Sequence, residues 1–322
     1  MPKIHALVLT VAGVVLALTT AAAAQQYPTK PIRMIVPFAP GGSVDVVARA
    51  IATPLGERLG RQMIVDNRAG AGGVVGAELV ANAPKDGYTL LVNSLSHATN
   101  PWLYQPPFDS IKGFAPISMI ASGPIVLVVN PELPVKSVAE LIALARARPG
   151  QLQYASAGVG TFTHLGAELF RIAADVNLLH VPFRGGGPAI IDVVAGHTKI
   201  AFANLLTAMP HIRSGKLRTL GVGGTKRLST LPDVPTIAEA GVPSYEAINW
   251  WGILAPAGTP ATIVARLHKE IAAVQSNPAV QKLLAGEGAE VVNMSSAEFT
   301  AFLVRETDKW GRVVKEGGIK AQ

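Results

Sequence analysis

One pattern occurs twice in this chain, and it constrains the fold more than any other feature. Val36-Pro37-Phe38-Ala39-Pro40-Gly41-Gly42 leads into Asp45-Val46-Val47-Ala48, and Val181-Pro182-Phe183-Arg184-Gly185-Gly186-Gly187 leads into Asp192-Val193-Val194-Ala195. Each reads as a strand, a Pro-aromatic pair, a glycine loop and a helix. A second echo pairs Ile125–Asn130, followed by Pro131 and Pro134, with Trp251–Ala255, followed by Pro256 and Pro260. Two echoes in the same order point to two similar α/β lobes; the alternative is coincidence among short Gly/Pro βα turns. In the two-lobe reading the chain begins in one lobe, builds the other, and returns near Tyr245–Trp251. Two crossings, near Ile120–Pro124 and Val242–Ala247, then join residues 25–122 with 243–322 as lobe 1 to residues 123–242 as lobe 2.

Short β-rich runs alternate with helical patterns throughout, which predicts an α/β fold with largely parallel sheets. The expected strands are Ile32–Phe38, Met63–Asp66, Thr89–Asn93, Ile125–Asn130, Leu152–Ser156, Leu178–Val181, Lys199–Asn204, Arg218–Val222 and Trp250–Leu254. Ser137-x-x-Glu140 and Ser295-x-x-Glu298 read as capping boxes, Thr259-Pro260 as an N-cap with proline at the first helical position, and Asn277-Pro278 as another start. Pro54 falls inside a helical pattern and is expected to kink or interrupt it.

Residues 1–24 read as a secretory signal peptide: Lys3, an apolar run from Leu7 to Leu18, then Ala22-x-Ala24, with cleavage expected after Ala24. That places the mature chain in the periplasm. An uncleaved anchor is the alternative. The chain has no cysteine, which excludes disulfides, thiol nucleophiles and Cys-ligated metals. Its net charge of +7 comes from scattered basic residues, which argues against nucleic acid and points to a small anionic ligand.

A strand that ends in a glycine loop and opens a helix presents free backbone N–H groups at the positive end of the helix dipole. Such a site accepts carboxylate, phosphate or sulfate. Gly41, Gly42 and Ser43 form one candidate, with Ser43 also a candidate N-cap. Gly185, Gly186 and Gly187 form a second, with Pro188 at the first helical position. Ser156-Ala157-Gly158-Val159-Gly160-Thr161 is the third. Tight βα turns without a ligand are the alternative for any one of them.

His164 and Glu168 are spaced to pair or to hold a metal, with a structural or ligand-edge role the alternative. His97, after Asn93-Ser94, either reaches a ligand or is a solvated loop histidine. Trp250-Trp251 reads as core, or as a ring closing over a ligand. Gly70-x-Gly72-Gly73-x-x-Gly76 fails the dinucleotide spacing, and Tyr154-Ala155-Ser156-Ala157-Gly158 lacks the first glycine of a nucleophile elbow.

These residues, together with Tyr27-Pro-x-Lys30-Pro-Ile, Asn67-Arg-x-Gly-Ala-Gly-Gly73, Asp86-Gly-Tyr-Thr-Leu90 and Leu217-Arg-x-Leu220, resemble the extracytoplasmic solute receptors of tripartite tricarboxylate transporters, the Bug receptors. The resemblance covers essentially the whole mature chain. It implies a type II-like periplasmic binding protein: two α/β lobes, two crossings, and a cleft that closes on a small organic carboxylate. It implies no catalytic residues, no cofactor and no metal. The partners it implies are the carboxylate and a membrane permease of one large and one small subunit, the receptor itself being a monomer.

Carried over by position, the binding residues it implies are Phe38, Ala39, Gly41, Gly42, Ser43 and Asp45; Asn93 and His97; Ser156, Gly158, Gly160, Thr161 and His164; Phe183, Arg184 and Gly185; and Asn204. Phe183-Arg184 stands where members commonly have Tyr-Lys, so Arg184 is expected to keep a positive charge near the ligand, pointing to solvent being the alternative. Ala203 stands where many members carry Asp. A membrane-signalling sensor and an exported carboxylate-processing hydrolase are the alternative functions.

Overall fold

The computed structural model describes residues 27–320 apart from 287 and 317. The signal peptide read at residues 1–24 lies outside the described residues. The first part of the chain runs β1 (Ile32–Val36), α1 (Ser43–Leu59), β2 (Met63–Asn67), α2 (Val74–Ala81), β3 (Thr89–Ser94), α3 (Ser96–Leu103) and β4 (Phe114–Val129). The middle runs α4 (Val138–Ala147), β5 (Gln153–Ser156), α5 (Phe162–Ala173), β6 (Leu179–Pro182), α6 (Gly186–Ala195), β7 (Ile200–Asn204), α7 (Leu205–Arg213) and β8 (Arg218–Val222). The chain then returns through β9 (Ile248–Pro256), α8 (Ala261–Gln275), α9 (Pro278–Gly286), β10 (Glu290–Val291) and α10 (Ser296–Glu316).

The strands form two half-sheets that share β4. In one, β1 lies parallel between β2 and β3, and β9 runs antiparallel between β3 and β4. In the other, β5 lies parallel between β6 and β7, and β7 and β8 pair antiparallel with β4. The partner changes within β4: Phe114–Pro124 pairs with β9, and Ile125–Val129 pairs with β7. Beside this point, the Ile125 N–H donates to the Ala247 carbonyl at 3.2 Å. Two lobes are therefore joined by strands that pass from one to the other.

Residues 114–124 were not among the expected strands, yet β4 runs from Phe114 to Val129. The structure accommodates Pro116 next to a register shift against β9 and continues. Prolines enter sheets at such irregularities. Pro54 does not interrupt its helix; α1 runs on to Leu59. Val47, Ala48, Ile51, Leu55 and Leu59 are all buried on one face, and their packing outweighs the local defect.

Both faces of the first half-sheet are covered, so its strands are continuous hydrophobic runs rather than alternations. Successive residues still point to opposite faces. Trp250 packs with Phe299, Leu303 and Trp310 beneath α10, while Trp251 packs among Val47, Ile51, Leu267 and Ile271 beneath α1 and α8. Each tryptophan is 1 % exposed, so both rings are core.

The caps follow the sequence in part. Ser137 Oγ accepts from the Glu140 N–H at 3.1 Å and Ser295 Oγ from the Glu298 N–H at 3.2 Å. Thr259 does not cap α8; its hydroxyl donates to the Pro256 carbonyl, and the helix begins one residue after Pro260. Pro188 is the third residue of α6 rather than the first.

Candidate functional site

The two glycine loops face each other across the gap between the lobes. The Ala39 N–H donates to the Arg184 carbonyl at 3.1 Å. A Cβ placed on Gly42 would sit 3.4 Å from the Gly186 nitrogen, and one on Gly187 only 2.5 Å from the Pro40 carbonyl oxygen. A second set of contacts closes one end of the gap. Thr99 Oγ1 in α3 donates to the Gly160 carbonyl at 2.6 Å, and the hydroxyl of Tyr104, just past α3, donates to the Val159 carbonyl at 3.0 Å. The structure is thus closed.

Between the loops lies a cavity of about 20 Å³, where one water needs roughly 10–15 Å³. It is lined by Phe38, Gly42, Ser43, Val44, Ser94, Ala157, Thr161, Phe162, Thr163, Gly186, Asn204 and Asn249. These residues include the first turn of α1, the first turn of α5, the start of α6 and the residue that precedes α7. Four helix N-termini therefore meet at one point. The first intrahelical bond of α1 runs from the Val46 N–H to the Gly42 carbonyl, so the N–H groups of Ser43 and Val44 precede the ladder. The corresponding first bonds are Leu165 to Thr161 in α5 and Ala189 to Gly185 in α6. No acidic or basic side chain lines the cavity. Its electrostatics come from helix dipoles and neutral donors, a combination suited to an anion.

Several expected residues shape this cavity from behind. Gly41 has a left-handed φ of 78°, and its N–H donates to Asp45 Oδ2 at 2.9 Å. Asp45 also accepts from Arg49 and from Asn67, whose amide bonds the Phe38 carbonyl. Burial pushes the Asp45 carboxyl up, but the hydrogen bonds from Arg49, Gly41 and Asn67 outweigh it and hold the group below the usual carboxylate range. Asp45 fixes the loop and does not line the cavity. Ser43 is not an N-cap: it is the first helical residue after Gly42, and its hydroxyl accepts from Trp251 Nε1 at 3.2 Å.

The third loop has its own support. Ser156 Oγ lies 2.6 Å from His180 Nε2 and accepts from the Gly158 N–H. His164 Nδ1 accepts from the Gly160 N–H at 3.2 Å, which fixes that nitrogen as unprotonated. The His164 and His180 rings stack at 4.1 Å, and His180 stacks in turn on Tyr154. Glu168 is engaged by Tyr154 and Arg171, so it does not join His164. Thr161 Oγ1 donates to the Gly158 carbonyl.

Other expected residues stand away from the cavity wall. His97 is 1 % exposed; its Nε2 donates to the Ser110 carbonyl at 2.7 Å and its ring packs on Phe114. Asn93 holds the β3–α3 turn by accepting from the Ser94 N–H and the Ser96 hydroxyl. Ser94, its neighbour, is the one at the cavity. Phe183 is half-buried, and Arg184 is exposed, reaching the interface only through its carbonyl.

Asn204 does line the cavity and accepts from Asn249 Nδ2 at 2.8 Å. Asn249, Ser94 and Thr163 were not foreseen. Thr163 sits in the first turn of a helix that follows a glycine loop, a signal the sequence carries. Asn249 becomes visible only once β9 is paired with β4.

The chain matches the family described as tripartite tricarboxylate transporter family receptor over residues 47–319. Protein BugT of Bordetella pertussis is 39% identical over 318 residues, covering 97% of this chain and 98% of that one. Among solved structures, R. palustris Rpa4515 with adipate is 37% identical with a TM-score of 0.89, covering 92% of this chain and 100% of its own. The periplasmic binding protein BugD is 32% identical with a TM-score of 0.89, over the same shares.

Two predictions follow from the geometry. In Gly187→Ala the added methyl meets the Pro40 carbonyl across the gap, while lobe 2 itself is undisturbed. With any anion that closes the wild-type cleft, this variant keeps a larger radius of gyration in small-angle scattering at unchanged circular dichroism; superimposable curves contradict the contact.

The second concerns acid. Burial pushes His97 and His164 down to about 4, and burial together with the neighbouring His164 pushes His180 down to about 3. All three are neutral in the fold, whereas the unfolded chain protonates near 6.5. Stability is therefore full above about pH 6.5 and falls as pH drops toward 4. For His97 alone the loss is about 3 kcal/mol. Urea titrations at pH 7.5 and 4.5 should show His97→Gln losing less than the wild type; an equal loss contradicts the assignment.

Proposed function

The chain belongs to the tripartite tricarboxylate transporter receptor family, and from that premise we propose that it closes its two lobes over a small organic carboxylate and delivers it to a membrane permease. The observation that carries this reading is the meeting of four helix N-termini on one cavity free of charged side chains. A carboxylate there accepts hydrogen bonds from N–H groups that precede the helical ladders, and it gains from dipoles worth about half a charge each. The adipate held by the R. palustris relative supports the same ligand class.

The mature protein, in this reading, is exported by residues 1–24 with cleavage after Ala24, and works in the periplasm as a monomer. Its lobes are residues 25–122 with 243–322, and residues 123–242. The contacts to the ligand come from Gly42, Ser43 and Val44 in lobe 1 and from Thr161, Thr163 and Gly186 in lobe 2, with Asn204 and Asn249 as side-chain partners. Arg184 contributes long-range attraction from outside the cleft. The permease is of one large and one small subunit. The cleft binds and releases its ligand unchanged.

A ligand that binds only the native state stabilises it by mass action, by about 2.7 kcal/mol at a hundredfold excess over Kd. Thermal unfolding with a panel of small organic acids should therefore show clear upward shifts for some acids and none for their methyl esters. Equal shifts for an acid and its ester would sink the reading, because the cavity would not be recognising charge.

A further inference from the structure

The anion cavity has a neighbour deeper in lobe 2, of about 10 Å³. Ala155, Ala189, Ile190, Ala201, Phe202 and Ala203 form half of its wall. Ala157, Thr163, Gly186 and Asn204 border both spaces. A Cβ on Gly186 would lie 3.6 Å from Thr207 Oγ1 and 3.9 Å from the Gly42 Cα, so this glycine stands between the two spaces.

The chamber contains one unusual atom. Thr207 is 7 % exposed, and its hydroxyl has no hydrogen-bond partner. Helical threonines normally return their hydroxyl to the carbonyl four residues back. Thr300 and Thr307 do so, at 2.7 and 2.8 Å. Thr207 is the third residue of α7, so the carbonyl four residues back, that of Ala203, lies in β7 and not in the helix, and the hydroxyl is left without that partner beside the start of α6. A buried hydroxyl without a partner is unfavourable, and a ligand oxygen supplies that partner. No cation lines the chamber, and the Ser156 and Thr163 hydroxyls that also line it are engaged within the third loop, so a second buried carboxylate would find the Thr207 hydroxyl, the Asn204 amide and the α6 and α7 starts but no countercharge.

Resting on the carboxylate reading above, we propose that this chamber takes the uncharged far end of the ligand, a short methylene chain ending in a hydroxyl or carbonyl oxygen that pairs with Thr207. The ligand class is then a short monocarboxylate oxygenated at its far end, rather than a diacid. Lobe 1 and the α5 start hold the charge; the alanine-lined chamber and Thr207 read the tail.

Titration calorimetry on matched sets of four, five and six carbons tests this, each set comprising the n-alkanoate, the ω-hydroxyalkanoate and the diacid. In the set of best-fitting length the hydroxy acid should bind at least tenfold tighter than the diacid, and tighter than the alkanoate. Thr207→Val should erase the preference for the hydroxy acid over the alkanoate while leaving alkanoate affinity within about twofold, which also shows that the variant folds. Thr207→Ser should restore the preference. A diacid that binds as tightly as the hydroxy acid, or an unchanged preference in Thr207→Val, overturns the inference and leaves the carboxylate reading standing. No binding by any member of the three sets overturns the carboxylate reading, and this inference with it.

Discussion

The site depends on one constraint: two backbones must pass each other with no side chain between them. Gly42 lies against Gly186, and Gly187 against the Pro40 carbonyl, at separations that admit no Cβ in the second case and barely one in the first. Only that approach brings the start of α1 in one lobe against the start of α6 in the other. The α5 and α7 starts join them because β5 and β7 are parallel neighbours whose ends lie together. Ligands of open parallel sheets gather at such strand ends. Here two sheets turn those ends toward a common gap, and the dipoles add in a space too small to hold much screening water.

In the proposed reading charge is recognised without a charged partner, and the surrounding residues explain how. Asp45, the one buried carboxylate near the first loop, is neutralised by Arg49 and accepts the Gly41 N–H at Oδ2 and the Asn67 amide at Oδ1. It shapes the loop and leaves the N–H groups of Ser43 and Val44 ahead of the helical ladder. Trp251 pins Ser43 from the core. On the other side, the stack of Tyr154, His180 and His164 holds the third loop through Ser156 and Gly160. Neutral imidazoles serve here because an accepting nitrogen is needed at Gly160. Motion has a physical seat as well. β4 passes from one half-sheet to the other at Pro124–Ile125, and the chain returns beside it through Ala247 into β9, so bending there would change the gap while each half-sheet keeps its register.

Much of this was legible in the sequence, because glycine loops after strands have few conformational options. The echo between Val36–Gly42 and Val181–Gly187 carried the two lobes and two of the four helix starts. What escaped depended on orientation and long-range pairing. Asn93 and His97 follow a strand as a site residue would, yet their side chains turn behind the β3–α3 turn and Ser94 meets the cavity instead. Arg184 stands in a glycine loop, but the backbone there faces the other lobe and the side chain faces water. Asn249 carries no local signal, since its place is set by the antiparallel match of β9 with β4. Thr207 looks like any helical threonine until its hydroxyl is found without a partner. The first half of β4 was hidden by Pro116, which the sheet absorbs at a register shift.

The central claim is that backbone N–H groups at converging helix starts, rather than a basic side chain, hold the ligand's charge. Amide proton chemical shifts report it most directly, compared between the free protein and the protein saturated with a bound carboxylate. The account predicts large downfield shifts at Ser43, Val44 and Thr163, with the Arg184 side-chain Nε proton nearly unmoved. A dominant shift at Arg184 Nε with quiet backbone amides at those three positions would contradict it.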